Sequence, residues 1–303
     1  MLGALSLSGN VDAQSMYKYR GANGEWMYTD RPPPDERKVE VLKRVATHPR
    51  PAAKVFHRLV DRQIHLYGKN DFFAPIELIL DLDELTNIAF PPPEQSFSFV
   101  LQPQTETLLL SFNIVEYATA PSIAYHYRYF PGDPESRHQP DQPYRVPFAV
   151  ANSHMVSQAY PYATTHLSAD AHYAVDIVMP VGTNIYAARP GTVFEVASTN
   201  FRGGLNPEQD GAAANLIRIL HDDGAYGVYA HLNLNTIRVK PGDVVRRGQY
   251  IADSGNTGYS SGSHLHFAVL RNAGMRPQSV PFLLEGPNHS NVVPAMGNSL
   301  TAY

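Results

Sequence analysis

Apolar positions along most of this chain return every second residue rather than every third or fourth. That period puts side chains on alternate faces of a pleated strand. Met16-Tyr17-Lys18-Tyr19-Arg20 alternates in this way. Ala22-Asn23-Gly24 supplies a turn, residues 25–30 read as the return strand, and Pro32-Pro33-Pro34 blocks further pairing. Residues 40–43, 54–60, 63–68, 76–82, 96–101, 107–115 and 123–130 are rich in β-branched and aromatic residues, with Gly, Pro, Asn and Asp between them. Seven such segments predict a small β-sandwich. From about Arg145 the predicted strands lengthen and glycine turns become regular, as at Lys240-Pro241-Gly242 and Ser254-Gly255-Asn256-Thr257-Gly258. No 3.6-residue amphipathic pattern lasts more than two turns, so the predicted class is all-β, mainly antiparallel.

The chain divides along the same pattern. Residues 1–14 read as a signal-peptide remnant or a disordered start, because Val11-Asp12-Ala13 is an acceptable cleavage site without the charged and apolar regions before it. Residues 15–37 form a hairpin module, 38–142 a β-sandwich-like accessory domain, 143–285 the domain with the chemistry, and 286–303 a polar, flexible tail. The Tyr-Lys-Tyr and Asn-Gly-Glu-Trp pattern of the first module resembles a short bacterial envelope module of unknown function, which favours export.

Composition narrows the chemistry. The chain has 303 residues and no cysteine, which excludes disulfide scaffolds, thiolate metal sites and thiol nucleophiles. Its 24 basic and 28 acidic residues leave a net charge of −4, so no basic field points to nucleic acid. No apolar run reaches the ~18 residues of a membrane-spanning helix. Any metal must be held by His, Asp or Glu, and there are 13 His.

Three local patterns carry that possibility. His264-Leu265-His266-Phe267 opens an apolar strand, and residues two apart share a face, so two imidazoles stand side by side. His172-Tyr-Ala-Val-Asp176 would share a face on the same reasoning, and Tyr229-Ala230-His231-Leu232 adds a further imidazole. Two imidazoles and one carboxylate with an open position are the donor set of a catalytic zinc site. His48, His57, His65, His126 and His138 are scattered and read as structural or surface residues.

Together, in this order, these motifs resemble the lysostaphin/LytM-type zinc metallopeptidases that cut peptide bonds in bacterial peptidoglycan. The resemblance spans residues 150–272, about 40% of the chain, and includes Pro180-Val-Gly182-Thr183, Arg189-Pro-Gly191, Lys240-Pro-Gly242 and Gly255-Asn-Thr-Gly258. It implies a small antiparallel β-sheet domain, one Zn²⁺ held by His172, Asp176 and His266, and His231 and His264 beside the metal as general base or transition-state donors. Ala174 stands where the family carries glycine, and residues 200–214 look inserted, as a variable loop or a rim of the groove.

The resemblance implies an exported endopeptidase acting on cross-links or stem peptides of peptidoglycan, in the periplasm or cell envelope. Some relatives lose ligands and activate separate murein amidases instead; here all five positions are filled. A lipoyl- or biotin-carrier reading of the 242–255 hairpin fails for want of a lysine at its tip. For the accessory domain three roles stand open: targeting to the wall, binding an envelope protein partner, or occluding the groove.

Overall fold

The computed structural model of the chain describes residues 16–20, 26–29, 40–42, 51–89, 92, 94–211 and 213–303. The reading of residues 1–14 lies outside them. At the N-terminus β1 (Met16–Arg20) pairs antiparallel with β2 (Trp26–Thr29) and with β3 (Glu40–Leu42).

Two three-stranded antiparallel sheets follow. β4 (Ala53–Val60), β5 (Gln63–Asn70) and β8 (Glu106–Asn113) form one; β6 (Ile76–Thr86), β7 (Ser96–Leu101) and β9 (Ser122–Pro131) form the other. Alternation explains how they face each other. Ile64 and Leu66 of β5 meet Ile76, Leu78 and Leu80 of β6 in one core, while the residues between them point outward. Glu77 is an outward residue of β6 that is nonetheless buried, because it faces the next part of the chain.

That part is built on a nine-stranded sheet. Its strands are β10 (Ser153–Gln158), β11 (Val175–Val178), β13 (Gly191–Ala197), β15 (Leu216–Leu220), β16 (Tyr226–Ala230), β17 (Val244–Val245), β20 (His264–Asn272), β21 (Pro277–Ser279) and β24 (Ser299–Thr301). Small pairs flank it: β12 (Asn184–Tyr186) with β18 (Tyr250–Asp253), β14 (Gly203–Gly204) with β19 (Gly258–Tyr259), and β22 (Leu284–Glu285) with β23 (Asn291–Val292). One short helix, α1 (Pro207–Asp210), is the α-helix among the described residues. The fold is all-β and antiparallel in its main sheets.

Register gives the large sheet two unlike faces. Val175, Ile177, Ile217, Ile219, Tyr229, Leu265, Phe267 and Val269 point to one side and form a buried core with Tyr144 and Phe148. Asp176, Ala230 and His266 lie directly across from one another and point to the other side.

Residues 286–303, expected as a flexible tail, end instead in a paired strand. β24 pairs with β10, and Leu300 and Ala302 are buried in the main core. Two apolar residues in a polar stretch are too few to read as a strand, yet they are enough to close the sheet edge.

Candidate metal centre

β11 and β20 carry the centre of the site. The alternation that sends Val175 and Ile177 into the core turns Asp176 outward, and the alternation of β20 does the same for His264 and His266. Asp176 and His266 are register partners, and His266 Nδ1 lies 2.9 Å from Asp176 Oδ1. His264 Nε2 is 3.7 Å from the same oxygen.

His231 reaches the site differently. It follows the last residue of β16 with φ of 60°, a left-handed conformation that turns the chain out of the sheet. Its ring centroid lies 4.6 Å from that of His264 and 5.9 Å from that of His266. Its Nδ1 is 2.7 Å from the Thr257 carbonyl oxygen, so Nδ1 carries the hydrogen and Nε2 keeps the lone pair. The 254–258 turn can press this close because residue 255 is glycine: a Cβ there would meet the Asn233 nitrogen at 2.6 Å. Burial, reinforced by the neighbouring His264 and His266, pushes the His231 pKa down to about 4. Burial opposes charge on Asp176, but hydrogen bonds from His166 and His266 outweigh it and hold the carboxyl well below the usual range.

The third corner departs from the sequence reading. His166, not His172, completes a group with Asp176 and His266 in which one ligand atom from each lies within 4.8 Å of the others. His166 Nε2 is 3.1 Å from Asp176 Oδ2, its ring is edge-on to His266, and the residue is 5% exposed. His172 is exposed, and its ring packs against Tyr160 and Tyr173. The reason is local. His172 and Asp176 would share a face only on an extended backbone from 172 to 176, but β11 begins at Val175 and tight turns precede it. His172 N and Ala171 N both bond to Ser168 O, and Ala174 N bonds to Ala171 O. Ser279 fixes this segment through Ala169 O and Tyr173 N.

His166 carries no local signature, standing alone among threonines and a leucine ten residues before Asp176. Gln158 ties its loop to the site. Its amide nitrogen donates to Asp176 Oδ2 at 2.7 Å, and its oxygen accepts from the Thr164 and Thr165 backbone at 2.8 and 3.0 Å. Ala174, in the glycine position of the family pattern, has its methyl fully buried in an apolar cluster on this face. The inserted residues 200–214 are not free either: β14 pairs with β19 close to the His231 turn.

These residues fit a divalent cation. Two imidazoles and a carboxylate are the open-site donor set, Gln158 supplies the outer hydrogen bond that orients the carboxylate, and His166 Nδ1 is buried without a hydrogen-bond partner. Residues 170–277 match the sequence profile of peptidase family M23. This segment is an M23 peptidase domain.

The match to the M23 profile begins after His166, so it takes in His172, Asp176, His231, His264 and His266 and leaves the third corner of the observed group outside. Residues 3–55 match DUF4124, a domain of unknown function. Glycyl-glycine endopeptidase ALE-1 of Staphylococcus capitis is 34% identical over 131 residues, 42% of this chain and 33% of that protein. Peptidoglycan DD-endopeptidase ShyC of Vibrio cholerae is 36% identical over 102 residues, 34% of this chain and 21% of that protein. The solved catalytic domain of lysostaphin from Staphylococcus simulans shares 33% identity over 41% of this chain and 83% of that one, with a TM-score of 0.30. The chain spans a third or less of the length of these two curated relatives. No helix among the described residues is long and apolar enough to cross a membrane.

Proposed function

We propose that this chain is an exported zinc-dependent endopeptidase that hydrolyses cross-links or stem peptides of bacterial peptidoglycan in the periplasm or cell envelope. The observation that carries the reading is the convergence of His166, Asp176 and His266 on one side of the sheet, with His231 and His264 beside them. The names of the M23 relatives, two of them peptidoglycan or glycyl-glycine endopeptidases, supply the substrate class.

On this reading His166, Asp176 and His266 hold the ion, and His172 stands at the rim. Zinc in such a site polarises a substrate carbonyl and lowers the pKa of water toward neutrality. The chain supplies the rest. Asp176 stays ionised because His166, His266 and Gln158 all face its oxygens. His231 is neutral at pH 7 with its Nε2 lone pair available to take a proton. His264 Nδ1 faces the Gly262 carbonyl oxygen at 2.8 Å, which fixes the ring and leaves Nε2 toward the site. Either imidazole can accept a proton from water at Nε2; the other donates to the developing oxyanion only once it is doubly protonated, because a backbone carbonyl already holds its Nδ1–H.

The test is digestion of purified peptidoglycan by the full chain, with metal content measured on the same sample. One zinc per chain and release of new peptide termini are expected, lost on chelation and restored by Zn²⁺. In Asp176→Ala both metal and hydrolysis fall to background. Bound zinc without any new termini would leave the alternative, a cell-wall-binding activator of a separate amidase.

A further inference from the structure

The metal-bearing face of the large sheet does not stay open beyond the site. Along β20 the same face continues from His266 to Ala268 and Leu270, and along β16 from Ala230 to Val228 and Tyr226. Ala268 is 1% exposed, although it is one step of about 6.6 Å along the strand from a metal-site histidine. These side chains share a buried cluster with Ala74 and Phe73, which come from the 71–75 corner between β5 and β6 of the accessory domain. Phe72 points the other way, into the sandwich core, so two adjacent phenylalanines join the two units.

This corner is anchored rather than hinged. The Asn70 side chain is fully buried; its amide nitrogen donates to Ala74 O at 2.9 Å, Leu101 O at 3.1 Å and Gln102 O at 3.0 Å, and its oxygen accepts from Phe72 N at 2.8 Å. Gln104 donates to Asp71 O at 2.6 Å. Beside it, Glu77 accepts from Asn272 Nδ2 at 2.8 Å and from Met275 N at 2.7 Å, and Asn272 also donates to Gly132 O at 3.0 Å. Phe73 also lies against the 240–242 turn, where a Cβ on Gly242 would meet its ring at 2.9 Å. A mobile cover would carry few buried polar contacts of this kind.

We propose that the 71–75 corner is the fixed closed end of the substrate cleft, so that peptide on one side of the cut bond is confined to a few residues. The proposal rests on the peptidase reading and gives the accessory domain a part in specificity. The side chain that sets the limit is Phe73.

The experiment uses the full zinc-loaded chain and synthetic peptides containing the bond it cuts in peptidoglycan, lengthened one residue at a time on either side. Wild type should lose at least about tenfold in kcat/KM once a short limit is passed on one side, with no such limit on the other. Phe73→Ala should move that limit outward and leave the shortest peptides unchanged. A second measurement separates a wall from a lid. The Phe72 amide is held by Asn70 Oδ1 and the Met275 amide by Glu77 Oε2, so hydrogen exchange at both should be slow in the free chain and unchanged by an uncleavable short peptide. Equal tolerance of length on both sides, uniform acceleration of all peptides in Phe73→Ala, or fast exchange at these amides that slows when the peptide binds would each overturn the closed end. Failure of the zinc-loaded wild type to cut any peptide would instead overturn the peptidase reading, and this inference with it.

Discussion

The two faces of the large sheet are made from the same strands and do opposite things. On one face Leu265, Phe267 and Val269 disappear into a core with Tyr144, Phe148 and Ile177. On the other, the intervening residues of the same strand are His264, His266 and Ala268. The first face supplies rigidity through apolar burial, worth about 1.5–3 kcal/mol for each large side chain. The second face uses that rigidity to crowd imidazoles around a carboxylate that water would otherwise solvate. Asp176 and His266 are each one residue away from an anchor in the opposite face, whereas the loop of His166 is tied to them through Gln158.

Substitutions on the two faces should therefore fail in different ways. After the complete loss expected of Asp176→Ala comes His231→Ala, which should keep its metal and fold but lose about 10²–10⁴-fold in turnover. Undiminished hydrolysis in that variant would take His231 out of the mechanism. On the opposite face, Phe267→Ala should cost about 3–5 kcal/mol in denaturant unfolding. The fraction that remains folded should still bind metal at full stoichiometry; a large stability loss with no loss of metal is the mark of an anchor.

Between these lies the contrast of the two histidines. His166→Ala should weaken zinc binding by at least about 100-fold in chelator competition, whereas His172→Ala should change it by less than about threefold. The reverse result would restore the ligand set that the M23 resemblance implies.

A pH dependence away from the site is absent at neutral pH and grows only in acid. His221 is buried with its Nδ1 2.8 Å from the Pro190 carbonyl oxygen, and burial pushes its pKa down to about 4. The unfolded chain takes up this proton near pH 6.5 and the folded chain only near 4. Stability is thus retained above about pH 6.5 and declines as pH falls between these values. The loss reaches about 3 kcal/mol at pH 4, at roughly 1.4 kcal/mol per pH unit. His221→Gln should flatten that part of the stability curve, as followed by urea unfolding at successive pH values.

Much of this was legible in the chain because strand alternation is a local property. Residues 96–101 were read to the residue, and β4 to β9 fall within a few residues of the predicted segments. Asp176, His264 and His266 were legible for the same reason: each sits on a strand whose other residues are apolar. The spacing of His172 to Asp176 assumes a strand, while the chain makes tight turns on Ser168 O there and His166 is the histidine beside Asp176 with His266. His166 lay in a polar loop with no period to read.

What the sequence determined by itself, then, is every feature that follows from a two-residue period: the strands, the apolar face, the outward carboxylate and the paired imidazoles of β20. Tertiary structure alone decided that His166 lies against Asp176 and His266, how the last strand closes the sheet, and where the accessory corner lands on that face. Those outcomes depend on the path of loops and on contacts between residues as far apart as 77 and 272, and no local pattern of side chains encodes such a path.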